Sequence, residues 1–152
     1  DEHRQGVIDL IVNIQRNEFG LCITAEDQPD LMNISGFYQI GDGNFWTALH
    51  NQYIVGTVSL LDIGNHQAAL RKMFVRADYR GPEIGVAKKL LDTAIHWARN
   101  KGTKELFLGT TPKFLAAHRF YEKNRFEEIE KTALPQSFPI MKVDTKFYRL
   151  VV

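Results

Sequence analysis

The chain has 152 residues, 44% of them hydrophobic and 24% charged, and a formal net charge of +1. That length suits one domain with a sizeable core. The charge balance gives no general reason to expect nucleic acid or a membrane surface as partner. A single cysteine, Cys22, excludes an internal disulfide and fits a reducing, cytoplasmic setting.

In chain order, Val7, Leu10, Ile11 and Ile14 mark a first amphipathic helix ended near Gly20. Cys22, between Leu21 and Ile23, is expected to be a packed thiol. Asp27-Gln28-Pro29-Asp30-Leu31 reads as a turn into a short second helix. The Asn33-Ile34-Ser35 triplet fits a glycosylation acceptor but is treated as chance. Phe45–His50 and Tyr53–Leu61 are strands joined through Asn51-Gln52 as an antiparallel hairpin. Gly64 and Asn65 then turn the chain into a strand ending at Val75. Ala87, Leu90, Leu91, Ala94, Ile95 and Ala98 recur at helical spacing, and Gly102 closes that helix. Leu106–Leu108 is a buried strand. Thr111 and Pro112 read as N-cap and first turn of a helix running to Asn124. Phe126–Glu130 and Lys146–Val152 are closing strands, with a long apolar loop between them. The order predicts one α/β domain over 1–152, with a mixed, mostly antiparallel sheet and helices on both faces. The chain opens just ahead of a helix, so an initial strand is expected to have been trimmed. There is no apolar run long enough to span a membrane and no signal peptide at its start.

Between the strand ending at Val75 and the long helix lies Arg80-Gly81-Pro82-Glu83-Ile84-Gly85-Val86-Ala87. A glycine turn that opens a helix presents backbone N–H groups at the positive end of the helix dipole, a site for a phosphate or pyrophosphate. It is equally an ordinary strand-to-helix loop. Arg71, Lys72, Arg76, Arg80, Lys88 and Lys89 flank it, either as an anion-attracting rim or as a solvated face. Five histidines without ligand spacing and one cysteine argue against a metal site.

Arg80-Gly81-Pro82-Glu83-Ile84-Gly85 resembles the Arg/Gln-x-x-Gly-x-Gly/Ala motif of the GNAT superfamily of acetyl-CoA-dependent N-acyltransferases. Ala117-His118-Arg119-Phe120-Tyr121-Glu122-Lys123-Asn124-Arg125-Phe126 resembles its later aromatic helix and turn. The resemblance covers nearly the whole chain. It implies acetyl-CoA as acyl donor, and with the histidine spacing no metal is expected. The pantetheine arm would lie on the backbone of Met73, Phe74 and Val75, and the pyrophosphate on the turn of Arg80, Gly81, Glu83, Ile84, Gly85 and Val86, with Ala117 and Tyr121 at the sulfur. Glu83 stands where the motif has glycine, Phe114 where many members have asparagine, and Arg125 where the turn has glycine.

The chemistry so implied is direct attack of a primary amine, on a small molecule or a protein, upon the acetyl thioester. Tyr121 is then the acid for the departing thiolate. The plainer alternative for Tyr121 is a core aromatic. A backbone N–H at Phe74 or Val75 would hold the oxyanion. Ala69 fills the place of the usual glutamate base, leaving His66, His118 and Asp144, with His118 expected on the helix surface. The fold implies acceptor walls from Phe19, Glu26, Asp27, Phe37, Tyr38, Phe138 and Met141. Glu26 and Asp27 would draw a cation or merely cap a turn. A homodimer is an open alternative. A non-catalytic acyl-CoA sensor is the rival reading, and no nucleic acid or membrane partner is expected.

Overall fold

In the computed structural model, which describes residues 3–152, α1 (Arg4–Asn13) buries Val7, Ile8, Leu10 and Ile11 along one stripe. The helix then widens into a π turn over Ile14–Glu18, and Gly20, at φ +65°, releases the chain. The second helix is split. A 3₁₀ turn at Pro29–Met32 precedes the single turn α2 (Ile34–Phe37), where the Asn33 side chain accepts from the Gly36 N–H.

β1 (Asn44–His50), β2 (Tyr53–Gly64) and β3 (Gln67–Val75) form an antiparallel meander. Its tight turns place Asn51-Gln52 and Asn65-His66 at positive φ. α3 (Val86–Asn100) carries the chain back to β4 (Glu105–Thr110), which runs parallel to β3. After α4 (Leu115–Lys123) come β5 (Glu127–Ile129) and β6 (Lys146–Val151), with β6 inserted between β4 and β5. The sheet order β1-β2-β3-β4-β6-β5 has one parallel pair, as expected of a mixed, mostly antiparallel sheet.

Alternation along the strands sends Val58, Leu60, Leu70, Leu106, Leu108 and Leu150 to one face, under α3 and α4. The other face takes α1 and α2 on Phe45, Leu61 and Phe74. It also takes Phe138 on Ala69, Phe107 and Phe147. No helix among the described residues is long and apolar enough to cross a membrane.

Four local expectations are corrected. α4 starts at Leu115, because Thr111-Pro112 forms its own turn: the Thr111 carbonyl accepts from the Phe114 N–H at 3.2 Å. Cys22 is exposed, since the stretch after Gly20 joins no strand that would turn it inward. His118 is buried, with Nε2 2.9 Å from the Thr111 carbonyl. Phe138 is a core residue and not an acceptor wall.

Gly43 lets the end of α2 press onto β2: a Cβ there would overlap the carbonyl oxygen of Tyr38 and come within 2.6 Å of that of Leu60. Both obstacles are backbone and cannot swing away. Gly43→Ala is expected to cost about 1–3 kcal/mol in chemical denaturation; an unchanged midpoint would contradict this packing.

Candidate functional site

β3 and β4 pair only through Gln67, Ala68 and Ala69, opposite Glu105, Leu106 and Phe107. Beyond Ala69 the strands part. The reason lies in β3: Thr57 faces Phe74 while Ser59 faces Arg71, so β3 carries one extra residue, and Lys72 takes φ +55°. Such a bulge bends its strand and sharpens the twist. Two buried hydroxyls fix it, Thr57 Oγ1 donating to the Lys72 carbonyl at 2.6 Å and Ser59 Oγ to that of Arg71 at 2.8 Å.

The gap is a cleft of about 290 Å³. Met73, Phe74 and Val75 line one wall, Leu108, Gly109 and Thr110 the other, and Ala117 and Tyr121 of α4 close its side. Phe114, at the position where the resemblance has an asparagine in many members, packs edge-on against Phe19 at 4.6 Å and Phe74 at 6.3 Å, making that end apolar. The π turn delivers Phe19 to this contact and Glu18 to Arg80.

At the mouth of the cleft, Gly81 (φ +108°) and Gly85 (φ +73°) supply the unusual backbone of the turn, and Glu83 needs none. The Gly85 N–H closes the turn on the Gly81 carbonyl at 3.0 Å. The first amides of α3, those of Val86, Ala87 and Lys88, have no carbonyl one turn back within the helix. Ile84 and Val86 line a separate groove beside β1 and are not among the residues lining the cleft. Arg80 acts as a brace: Nε donates to the Val75 carbonyl at 2.8 Å and its fork grips Glu18. Arg76 and Lys88 are paired with Asp78 and Asp92.

Tyr121 is 6% exposed and lines the cleft. Burial holds its phenol well above the ordinary value, so it stays protonated. Its hydroxyl makes no hydrogen bond to a described residue. Since no buried side-chain oxygen there lacks a partner, it opens onto the cleft.

The opposite end holds a polar cluster that sequence reasoning saw only as part of a basic rim. Lys72 Nζ donates to Gln28 Oε1 at 2.6 Å and stands 3.6 Å from Asp30, which also accepts from the Tyr38 hydroxyl at 2.5 Å. Gln28 is in turn bonded to Gln15 of the π turn. Phe37 lies under the Arg71 guanidinium, 5.6 Å from it, and Met141 Sδ accepts from Arg71 at 3.4 Å. Glu26 is exposed and outside the cleft, and Asp27 caps the Thr24 N–H at 3.0 Å. Asp144 sits against Gly109, where a Cβ would be 2.5 Å from its Oδ2, and burial raises its carboxyl. His66 lies in the turn before β3, away from the parted strands. No group of three or more His, Cys, Asp or Glu among the described residues could hold a metal ion.

Burial lowers Lys72 from 10.5 to about 8, against the pull of Asp30. Between about pH 8 and 10 the unfolded chain retains a proton that the folded chain has released, so stability rises with pH. That rise should be on the order of 1–2 kcal/mol from about pH 7.5 to about 9.5 and absent in Lys72→Met. Denaturant unfolding of both proteins at the two pH values measures it, and equal pH slopes would contradict a desolvated Lys72.

The acetyltransferase (GNAT) family profile matches residues 8–126. A GNAT acetyltransferase from Staphylococcus aureus Mu50 superposes with a TM-score of 0.93 at 42% identity, over 97% of this chain and 92% of that one. An N-acetyltransferase from Thermoplasma acidophilum in complex with coenzyme A shares the fold, with a TM-score of 0.75 at 16% identity over 99% and 94% of the two chains. A probable N-acetyltransferase family 8 member 5 from Mus musculus is 31% identical over 109 residues, 68% of this chain but 47% of its own length. An N-acetylaspartate synthetase from Xenopus tropicalis is 33% identical over 67% of this chain and 38% of its own, so the chain spans less than half of these two relatives. By the extent of the profile match, and by the parted strands and glycine turn that go with it, the chain belongs to the acetyltransferase (GNAT) family.

Proposed function

We propose that the protein transfers the acetyl group of acetyl-CoA to the nitrogen of a primary amine by direct attack. The observation that carries this reading is the Tyr121 hydroxyl, protonated and without a hydrogen-bond partner among the described residues, opening onto the cleft between parted strands. A core aromatic would have no such opening. The cleft suits a long, mostly apolar arm with peptide-like groups, because β3 beyond Ala69 offers backbone that β4 does not pair. The glycine turn and the first amides of α3 suit the pyrophosphate. The exposed Glu83 carboxylate lies close to Gly81 and would have to turn outward for an anion to sit on the turn. That the Thermoplasma acidophilum relative binds coenzyme A on the same fold supports the choice of donor.

The residues divide the work. The N–H of Phe74 or Val75 holds the oxyanion as the amine nitrogen bonds to the carbonyl carbon. The carbon–sulfur bond breaks and Tyr121 gives its proton to the departing thiolate. Of the three bases named from the sequence, His66 lies outside the cleft and the ring of His118 is held by Thr111. Asp144, which packs against Gly109 of the cleft wall, is left to take the amine's proton.

Two measurements check this reading. Acetyl-CoA at about a hundred times its Kd should stabilise the chain by roughly 2.7 kcal/mol in thermal unfolding, with adenosine monophosphate as control. Tyr121→Phe should lower kcat by about 10²–10⁴-fold and leave that stabilisation in place. Binding without thiol release to any amine would favour the sensor reading, and equal loss of binding and turnover in Tyr121→Phe would remove its role as acid.

A further inference from the structure

We propose that the acceptor amine also carries a carboxylate, and that Arg71 binds it through its guanidinium fork. This rests on the acetyl-transfer reading and names the substrate class of the same site.

The bulge in β3 is the starting point. Successive residues of a strand face opposite sides of the sheet, but the extra residue turns Arg71 and Lys72 toward one carboxylate, Asp30, at 3.9 and 3.6 Å. Asp30 is already engaged. It accepts from Tyr38, and Lys72 beside it is held by Gln28. Lys72 is the nearer cation to Asp30, whereas the Arg71 guanidinium feels both Asp30 and Asp144 but is hydrogen-bonded to neither.

Arg71 is not placed as a surface arginine would be. Its side chain is 11% exposed and its guanidinium lies 5.6 Å from the Phe37 ring and 5.8 Å from that of Tyr38. Among the described residues its side chain's one hydrogen bond goes to a thioether, a weak acceptor, and 3.9 Å to Asp30 is beyond hydrogen-bond range. Most of its five donors thus have no acceptor among the described residues. No sealed side-chain nitrogen among the described residues lacks a partner, so these donors are open, and Arg71 lines the cleft. A planar fork held on aromatic rings with its donors open matches a carboxylate.

The amine has its own counterpart nearby. The Met141 N–H donates to Asp144 at 2.9 Å while its sulfur accepts from Arg71, so one residue bridges an acidic and a basic group. An ammonium toward Asp144 and a carboxylate toward Arg71 suit a zwitterionic amino acid.

The test pairs amino acids with their carboxamides and decarboxylated amines, following thiol release from acetyl-CoA. The carboxylate member should lead by about 10- to 100-fold in kcat/KM, mainly through KM, and Arg71→Gln should erase that lead. Arg71→Lys, which keeps the charge and loses the fork, should recover only part of it. A readout without turnover uses N-acetyl amino acids, which should raise the unfolding midpoint of the wild type but not of Arg71→Gln, while their amides raise neither. Equal use of amides, preference for a phosphorylated amine, or no midpoint shift from any N-acetyl amino acid would overturn the proposal. Loss of stabilisation by acetyl-CoA itself would instead overturn the acetyl-transfer reading, so the two failures are distinguishable.

Discussion

One extra residue in β3 governs the geometry of this protein. Lys72 sits at φ +55°, a conformation that costs a non-glycine residue about 1 kcal/mol or more, and it persists because its surroundings hold it. Thr57 and Ser59, both sealed from solvent, give their hydroxyls to the two carbonyls of the bulge. Arg80 ties off the end of the strand at Val75, and Glu18 of the π turn holds Arg80. Without these ties β3 would be expected to continue alongside β4, pairing the backbone it now leaves open.

Two consequences follow from the same distortion. The parted strands leave a channel whose walls are strand backbone and mostly apolar side chains, with backbone donors and acceptors on β3 that β4 does not pair. The bulge also turns Arg71 and Lys72 together, so a strand that would have sent one of them to each face concentrates both at one end of the channel. The proposed donor and acceptor sites are therefore linked through one backbone irregularity, and a change at Lys72 would disturb both.

The parts legible in the sequence were those with a period or a turn signature. The stripe of Leu90, Leu91, Ala94 and Ala98 gave α3, and Asn51-Gln52 gave the hairpin. The glycine turn was visible because Gly81 and Gly85 stand where positive φ is needed. Tyr121 was reached through the motif around it. What stayed hidden depended on contacts between distant segments. His118 reads as a surface position on a helix until the turn at Thr111 brings a carbonyl to its ring. Phe138 lies in an irregular loop with no pattern to show that it closes the core beside Phe147. Asp30, Gln28 and Lys72 are separated by more than forty residues in the widest pair and carry no shared spacing, so their cluster exists only once β3 bulges. Lys72 itself gave no warning, since lysine is not a residue expected at positive φ.

The most direct test of this account is backbone amide hydrogen exchange across the whole chain, with and without acetyl-CoA. If the parted strand and the helix start form the donor site, exchange should slow at Met73–Val75 and at Val86, Ala87 and Lys88, while β1 and the β5–β6 edge stay unchanged. Protection elsewhere with those two segments unaffected would contradict it, and would place the ligand outside the cleft that the bulge creates.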